Sequence, residues 1–385
     1  MARSVAILGT GQTYHSKARE DVHQGEIVLE AAEAALLDAD LSFDDIDAII
    51  LTNMEMFEGR ALPDLWCGEF AGGLGKPVMK VATGGTSGTS GAIAGLMQAA
   101  SGVFDTVLVV GWEKHSEGST QAGMTLSDPT WDRQIASGAI GNFALSISQY
   151  VAGRGVTPEQ AAMVAVKARR NGAKNPHSHL KDAELTVAKV LASPVLADPV
   201  HLLDMCPQSD GAAALIIGAG SITDRYRYPA WLKATATRHD QPYLGDHDYR
   251  LVKMRTLRSA AAEVYRKANI TDPITDFDVA EIYEPVTYAE LAWYEALSFC
   301  KDGEAGKLIE SGETELTGKL PVNPSGGVLC SNPVGATGVI RVAEATKQIQ
   351  RKAGDYQVDG VRQALVTGYG VYAWSDVLIL TGEKP

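Results

Sequence analysis

The sequence predicts an α/β fold with helices on both faces of its sheets, built as two similar halves. Three observations predict it. Short, wholly apolar runs end at glycine, helical apolar spacing fills the stretches between them, and the same order of elements returns in the second half. The first run, Val5 to Leu8, meets the turn Gly9-Thr-Gly11 and reads as a buried strand. From Gly25 to Asp38 apolar residues recur at helical spacing (Ile27, Leu29, Ala32, Ala35, Leu36), and Asp47 to Leu51 gives a second strand. Val107 to Val110, closed by Gly111, and Ala212 to Ile217, closed by Gly218, give a third and a fourth, with a helix over Gly91 to Ser101.

The second half opens with a strand at Trp231 to Ala236 and a helix at Ser259 to Ala268, then a strand near Val279 to Tyr283. A glycine-rich turn leads into a helix over Val339 to Arg351, and Ala364 to Val366 and Val377 to Leu380 close the chain. The expected division is residues 1–222 and 223–385, with a more polar, helical insertion at about 113–205 capping the first half.

Composition narrows the function. With 385 residues, 45% hydrophobic and 21% charged, the chain is long enough for two halves with substantial cores. A net charge of −13 and no run of Lys and Arg argue against nucleic acid or an anionic membrane as partner. Cys67, Cys206, Cys300 and Cys330 are far apart with no CxxC spacing, so neither a disulfide framework nor a structural zinc is expected. The apolar run at the N-terminus is too short for a signal peptide, and no stretch approaches the ~18–20 apolar residues of a membrane span. A cytoplasmic protein is expected.

Three glycine-rich segments stand out: Val81-Ala-Thr-Gly84-Gly85-Thr-Ser-Gly88-Thr-Ser-Gly91, Asn323-Pro-Ser-Gly-Gly327 through Cys330-Ser-Asn332-Pro333-Val-Gly335-Ala-Thr-Gly338, and Gly368-Tyr369-Gly370-Val-Tyr372. A glycine-rich loop opening a helix aims unpaired backbone N–H groups and the positive helix end at one point, which suits a phosphate or a developing oxyanion. Gly9-Thr-Gly11 lacks the third glycine of a dinucleotide fingerprint, and Leu51-Thr-Asn53 puts no acid at the end of the second strand, so NAD is not expected.

At the second of these segments the sequence resembles the thiolase superfamily. The stretch Asn323 to Gly338 is similar to the one that usually reads Gly-His-Pro before Gly-Ala-Thr-Gly, and Glu281 to Cys300 is similar to the His-Asp-Cys-Phe segment of sterol-carrier-protein-type thiolases. Asp210-Gly-Ala-Ala-Ala214 matches another family strand, and the resemblance runs in order over nearly the whole chain. It implies two similar halves in a five-layered αβαβα sandwich, a homodimer formed through the first half, and coenzyme A as substrate with no permanently bound cofactor or metal.

Departures from the family pattern fall on its chemistry. The acylated cysteine aligns with Gly85, the Gly-His-Pro histidine with Asn332, the oxyanion asparagine or histidine with Tyr283, and the second cysteine or histidine with Tyr369. Without a thiolate at 85 the usual acyl-enzyme cannot form there, and Thr86 and Ser87 have no evident base nearby. Backbone N–H groups at Gly85 and Gly370 keep the oxyanion role, which needs no side chain. Cys330, among glycine N–H groups, is either a base or displaced nucleophile with a lowered pKa, or a packing thiol. Cys67, Cys206 and Cys300 read as packing residues. Tyr283, Tyr369 and Tyr372 are phenols able to shuttle a proton or donate to an enolate, or else half-buried aromatics. Asn332 can donate to a thioester carbonyl, and Glu284 is either a catalytic carboxylate or a helix cap.

The leading expectation is a thiolase-like acyltransferase that cleaves or forms the C–C bond of a 3-oxoacyl-CoA, aromatic or branched, with coenzyme A attacking directly. A retro-aldolase on a β-hydroxyacyl-CoA and a non-catalytic acyl-CoA carrier are the alternatives. The divergent branch it resembles, that of benzoylsuccinyl-CoA thiolase and the steroid side-chain aldolases, implies a small Zn-finger/OB-fold partner subunit in an α₂β₂ assembly.

Overall fold

A computed structural model describes residues 3–119, 128, 130–134, 138–241, 250–370 and 373–385; Tyr372 lies outside them. Up to residue 222 the chain runs β1 (Val5–Gln12), α1 (Gln24–Ala39), β2 (Ala48–Thr52), α2 (Asp64–Phe70), β3 (Val78–Val81), α3 (Ser87–Ser101) and β4 (Thr106–Lys114). It continues through α4 (Gly138–Arg154), α5 (Pro158–Gly172), α6 (Val187–Leu191), the short pair β5 (Val195–Ala197) and β6 (Val200–His201), and β7 (Asp210–Ala219). Then come β8 (Ala230–His239), α7 (Arg250–Lys253), α8 (Arg255–Ala268), α9 (Pro273–Asp276), β9 (Val279–Glu281) and α10 (Thr287–Ala296). The last elements are α11 (Ala305–Ser311), α12 (Val334–Gln350), β10 (Gln363–Gly370) and β11 (Trp374–Thr381).

Among the described residues, nine strands form one mixed sheet in the order β3-β2-β4-β7-β1-β8-β11-β10-β9. The two halves meet where β1 pairs with β8 through Ala6 with Trp231 and Ile7 with Ala230. Each inner strand divides its side chains between two cores. In β7, Ala212, Ala214 and Ile216 face α1 and α2, whereas Ala213, Leu215 and Ile217 face α3 and α12. In β11, Leu378 and Leu380 face α3 and α12, whereas Val377 and Ile379 face the outer helices of the second half. A strand buried on both faces must be apolar at every position, which is why these segments read as continuous runs. The layers are therefore α1 and α2, the first five strands, α3 and α12, the other four strands, and α8 and α10 with α4 and α5: the expected five.

Two expectations change. The two long helices of the 113–205 insertion do not cap the first half: Phe143, Ile147 and Tyr150 of α4 and Val164 and Ala168 of α5 share a core with α8, α10 and the outer face of β10 and β11. Their apolar faces find the large unpaired surface of the second half, because α1 and α2 already cover the first. Both central helices also start earlier than their apolar spacing suggests, at Ser87 and Val334. Their glycines serve close approach rather than turns: a methyl added at Gly88 would lie 2.6 Å from Val339 N and 2.8 Å from Gly338 Cα. The two helices cross at this glycine contact, at their N-terminal ends. Among the described residues no helix is long and apolar enough to cross a membrane.

Candidate active site

The first glycine-rich loop is held shut by its own hydroxyls. Ser87 Oγ donates to Gly84 O at 2.6 Å and accepts from Thr83 N at 3.0 Å, and Thr86 Oγ1 donates to Thr83 O at 2.6 Å. Thr83 Oγ1 donates to Ser90 Oγ, and Ser90 and Thr89 both donate at 2.7 Å to Oδ2 of Asp376 on β11. Gly84, at φ +67°, turns the chain so that Gly85 lies flat against β10. A methyl at Gly85 would overlap the Tyr369 carbonyl oxygen, and Gly370 Cα is also within 3.5 Å of it. Gly85 and Gly370 are thus brought side by side, and position 85 has no room for a nucleophilic side chain.

On the other side of Tyr369 the structure assembles a polar cluster. Asn332, in the loop before α12, donates from Nδ2 to Cys206 Sγ at 3.2 Å and accepts on Oδ1 from Thr337 Oγ1 at 2.8 Å and from Tyr283 OH at 3.5 Å. The Asn332 backbone N–H donates to Ser209 Oγ, which also hydrogen-bonds His179 Nδ1 at 2.9 Å. Tyr283 stands just past β9, its own N–H donating to Thr367 Oγ1 on β10 at 3.0 Å. Tyr369 packs edge-on to Trp293, with ring centroids 4.8 Å apart, and its ring lies 6.4 Å from that of Tyr283. Burial, and then the nearby Cys206, hold the Tyr283 phenol above its ordinary range, so it keeps its proton at neutral pH. Of the predicted residues, Tyr283, Asn332, Tyr369, Gly85 and Gly370 lie in one continuous region.

Cys330 does not join them. It is fully buried, its thiol donating to Ala168 O of α5 at 3.1 Å, against the bare backbone of Gly172 and Gly326. The expected lowering of its pKa is also reversed: burial raises it, outweighing Arg169 3.7 Å away. Cys330 thus packs against α5, apart from the other predicted residues. The second helix N-terminus is not open to an anion either. Glu113, at the end of β4, accepts from Gly335 N at 2.9 Å and from Met54 N at 3.1 Å, taking an N–H of the first turn of α12. Burial and the neighbouring Glu58 raise Glu113 well above the usual carboxyl range, and burial brings Glu58 to about 7.

Behind Tyr283 lies a buried layer of ionisable side chains: Glu281 paired with Arg341, Lys167 with Glu290, and Glu284 accepting from Leu329 N at 3.2 Å. Burial and then Glu290 push Glu284 up to about 8, so it stays protonated and pins the 323–330 loop. Sequence reasoning did not place Cys206 in this cluster. It reaches Asn332 because Cys206 N donates to Pro285 O at 3.0 Å and Met205 bridges Val286, long-range pairings without local signature. Among the described residues no group of three or more His, Cys, Asp or Glu is placed to hold a metal.

Comparison with known proteins agrees with this architecture. Residues 5–221 match the thiolase N-terminal domain, and residues 237–383 match a thiolase C-terminal domain-like family. The acetyl-CoA acetyltransferase of Methanothermobacter thermautotrophicus is 32% identical over 375 residues, 96% of each chain. The benzoylsuccinyl-CoA thiolase subunit BbsB of Thauera aromatica is 27% identical over 381 residues, 95% of this chain and 94% of that one. The Ltp2-ChsH2(DUF35) aldolase superposes with a TM-score of 0.85 at 24% identity, over 100% of this chain and 99% of that one, a likeness of fold. With the N-terminal match alone spanning more than half of its residues, the chain belongs to the thiolase family.

Proposed function

We propose that this protein makes or breaks the carbon–carbon bond beside a coenzyme A thioester with no acyl group carried at position 85, and that it does so by retro-aldol cleavage of a β-hydroxyacyl-CoA. The observation that carries this is the contact of Gly85 with the Tyr369 carbonyl, which leaves no space for a nucleophile where an acyl-enzyme would form. Aldol cleavage needs a proton moved off the β-hydroxyl and a site for the thioester oxyanion, and both are supported here. The Tyr283 phenol meets the hydroxyl and, accepting its proton while passing its own to Asn332 Oδ1, never has to exist as a buried phenolate. As the Cα–Cβ bond breaks, its electrons collect on the thioester oxygen, met by backbone N–H groups at Gly85 and Gly370. Asn332 orients the phenol, and Tyr369 with Trp293 walls the site.

The second reading is thiolysis, with coenzyme A attacking a 3-oxoacyl-CoA directly; the 32% identity to an acetyl-CoA acetyltransferase favours it. An aromatic or branched acyl group, and a small Zn-finger/OB-fold partner, draw support from BbsB, which is named as a subunit of benzoylsuccinyl-CoA thiolase. A homodimer is supported by the edge strand β3 and neighbouring α2, where Val78, Met79, Leu65 and Trp66 are exposed. The test is product analysis of β-hydroxyacyl-CoA and 3-oxoacyl-CoA, with and without free coenzyme A, including any co-purifying subunit. Release of an aldehyde or ketone without coenzyme A upholds the retro-aldol route. Turnover only of the 3-oxo compound with coenzyme A replaces it by thiolysis, and turnover of neither leaves the acyl-CoA carrier.

A further inference from the structure

Resting on the cleavage reading, we infer that Cys206 is the acid that protonates Cα of the departing acyl-CoA enolate, completing a proton circuit with Tyr283 across Asn332. Three observations place it there. One asparagine amide holds both groups, Nδ2 on the Cys206 sulfur at 3.2 Å and Oδ1 toward the Tyr283 hydroxyl at 3.5 Å. Cys206 is the most exposed of these side chains: it is partly exposed, whereas Asn332, Tyr369 and Tyr283 are 8%, 4% and 3% exposed. Cys206 is thus the least enclosed residue of the cluster. The main chain also fixes it, Cys206 N donating to Pro285 O at 3.0 Å within the Met205–Val286 bridge, so that it sits beside the segment bearing Tyr283.

The protons balance within the site. The β-hydroxyl proton passes to the Tyr283 oxygen as the Cα–Cβ bond breaks, and Cys206 delivers its proton to Cα, leaving a thiolate. In the same movement the phenol's own proton passes to Asn332 Oδ1 and an Asn332 Nδ2 proton passes to the Cys206 sulfur. The products are an aldehyde or ketone and a shortened acyl-CoA, and the imidic-acid form of Asn332 returns to the amide by proton exchange with water once they leave. Burial pushes the Cys206 thiol up to about 12, which keeps it protonated until an enolate carbon, a far stronger base, arrives. Cys330 has no such outlet, since its thiol points to a helix carbonyl.

The circuit run backwards predicts exchange of the α-proton of a saturated acyl-CoA. Propionyl-CoA incubated in D₂O with the full protein and any co-purifying subunit is followed by mass spectrometry, with melting temperature and propionyl-CoA binding measured for each variant. The wild type and Cys300→Ala take up deuterium at equal rates. Cys206→Ala and the near-isosteric Cys206→Ser bind propionyl-CoA as the wild type does and exchange at least about 100-fold more slowly. Wild-type exchange rates in folded Cys206→Ala, or no exchange in the wild type, overturn the inference. Cleavage of β-hydroxyacyl-CoA separates the two claims: equal cleavage by wild type and Cys206→Ala removes Cys206 and keeps the reading, whereas no cleavage by the wild type removes the reading.

Discussion

The loops that open α3 and α12 look alike in sequence and do opposite work. Both are glycine-rich, both run into a central helix, and the helices touch at Gly88 and Gly338. In the first, Ser87 and Thr86 spend their hydroxyls on the loop's own backbone, Thr83 donates to Ser90, Ser90 and Thr89 tie the loop to Asp376, and Gly85 presents only main chain. In the second, Glu113 takes the Gly335 N–H and Asn332 is left to turn its side chain toward Tyr283 and Cys206. The same local motif thus supplies a main-chain wall in one half and a side-chain cluster in the other. A helix N-terminus is a chemical site only where nothing in the fold has already satisfied its N–H groups.

The largest effect expected from breaking this contrast is at Tyr283. Tyr283→Phe keeps the ring and removes the proton, so kcat for cleavage falls by about 10²–10⁴ with KM and melting temperature little changed, measured by steady-state kinetics. If the phenylalanine variant keeps its kcat, the working side of the contrast has been misplaced. Next comes the wall. Gly85→Cys does not restore a nucleophile, because its Cβ overlaps the Tyr369 carbonyl; it lowers stability by about 1–3 kcal/mol in denaturant unfolding and forms no acyl adduct by mass.

The carboxyl pair of Glu58 and Glu113, of which Glu113 caps α12, gives a pH test. Glu58 has a folded pKa raised from 4.5 to about 7. The folded state therefore binds its proton more tightly than the unfolded chain, and stability is greatest below the unfolded value and declines as pH rises from about 4.5 to 7. Glu58→Gln flattens this slope, with a gain on the order of 1–3 kcal/mol at pH 8 and almost none at pH 4.5, read from unfolding curves. A wild-type slope unchanged in the variant removes Glu58 from the account. The smallest effect is at Cys330: Cys330→Ala leaves turnover within about twofold and lowers stability by about 1 kcal/mol. A collapse of turnover in a well-folded Cys330→Ala would return that thiol to the chemistry.

The sandwich was legible because strands buried on both faces leave unbroken apolar runs such as Val107 to Val110 and Ala212 to Ile217. The grouping of the candidate residues was legible where they ride on those elements: Tyr283 just past β9, Tyr369 in β10 and Asn332 just before α12. Cys206 was not, because its position beside Asn332 comes from pairing with Pro285 and Val286, some eighty residues away. Cys330 misled for the complementary reason. Glycines around a thiol suggest donors, but here they make room for α5 to close over it. The insertion at 113–205 misled too, since polar helices reveal that they need a surface and not which surface they find.

The most direct test is intact-mass analysis of the protein quenched during turnover of its acyl-CoA substrate. The account predicts cleaved product accumulating while the protein mass stays unchanged at every time point. A transient mass increase equal to the acyl group, appearing and decaying at the rate of turnover, would contradict it.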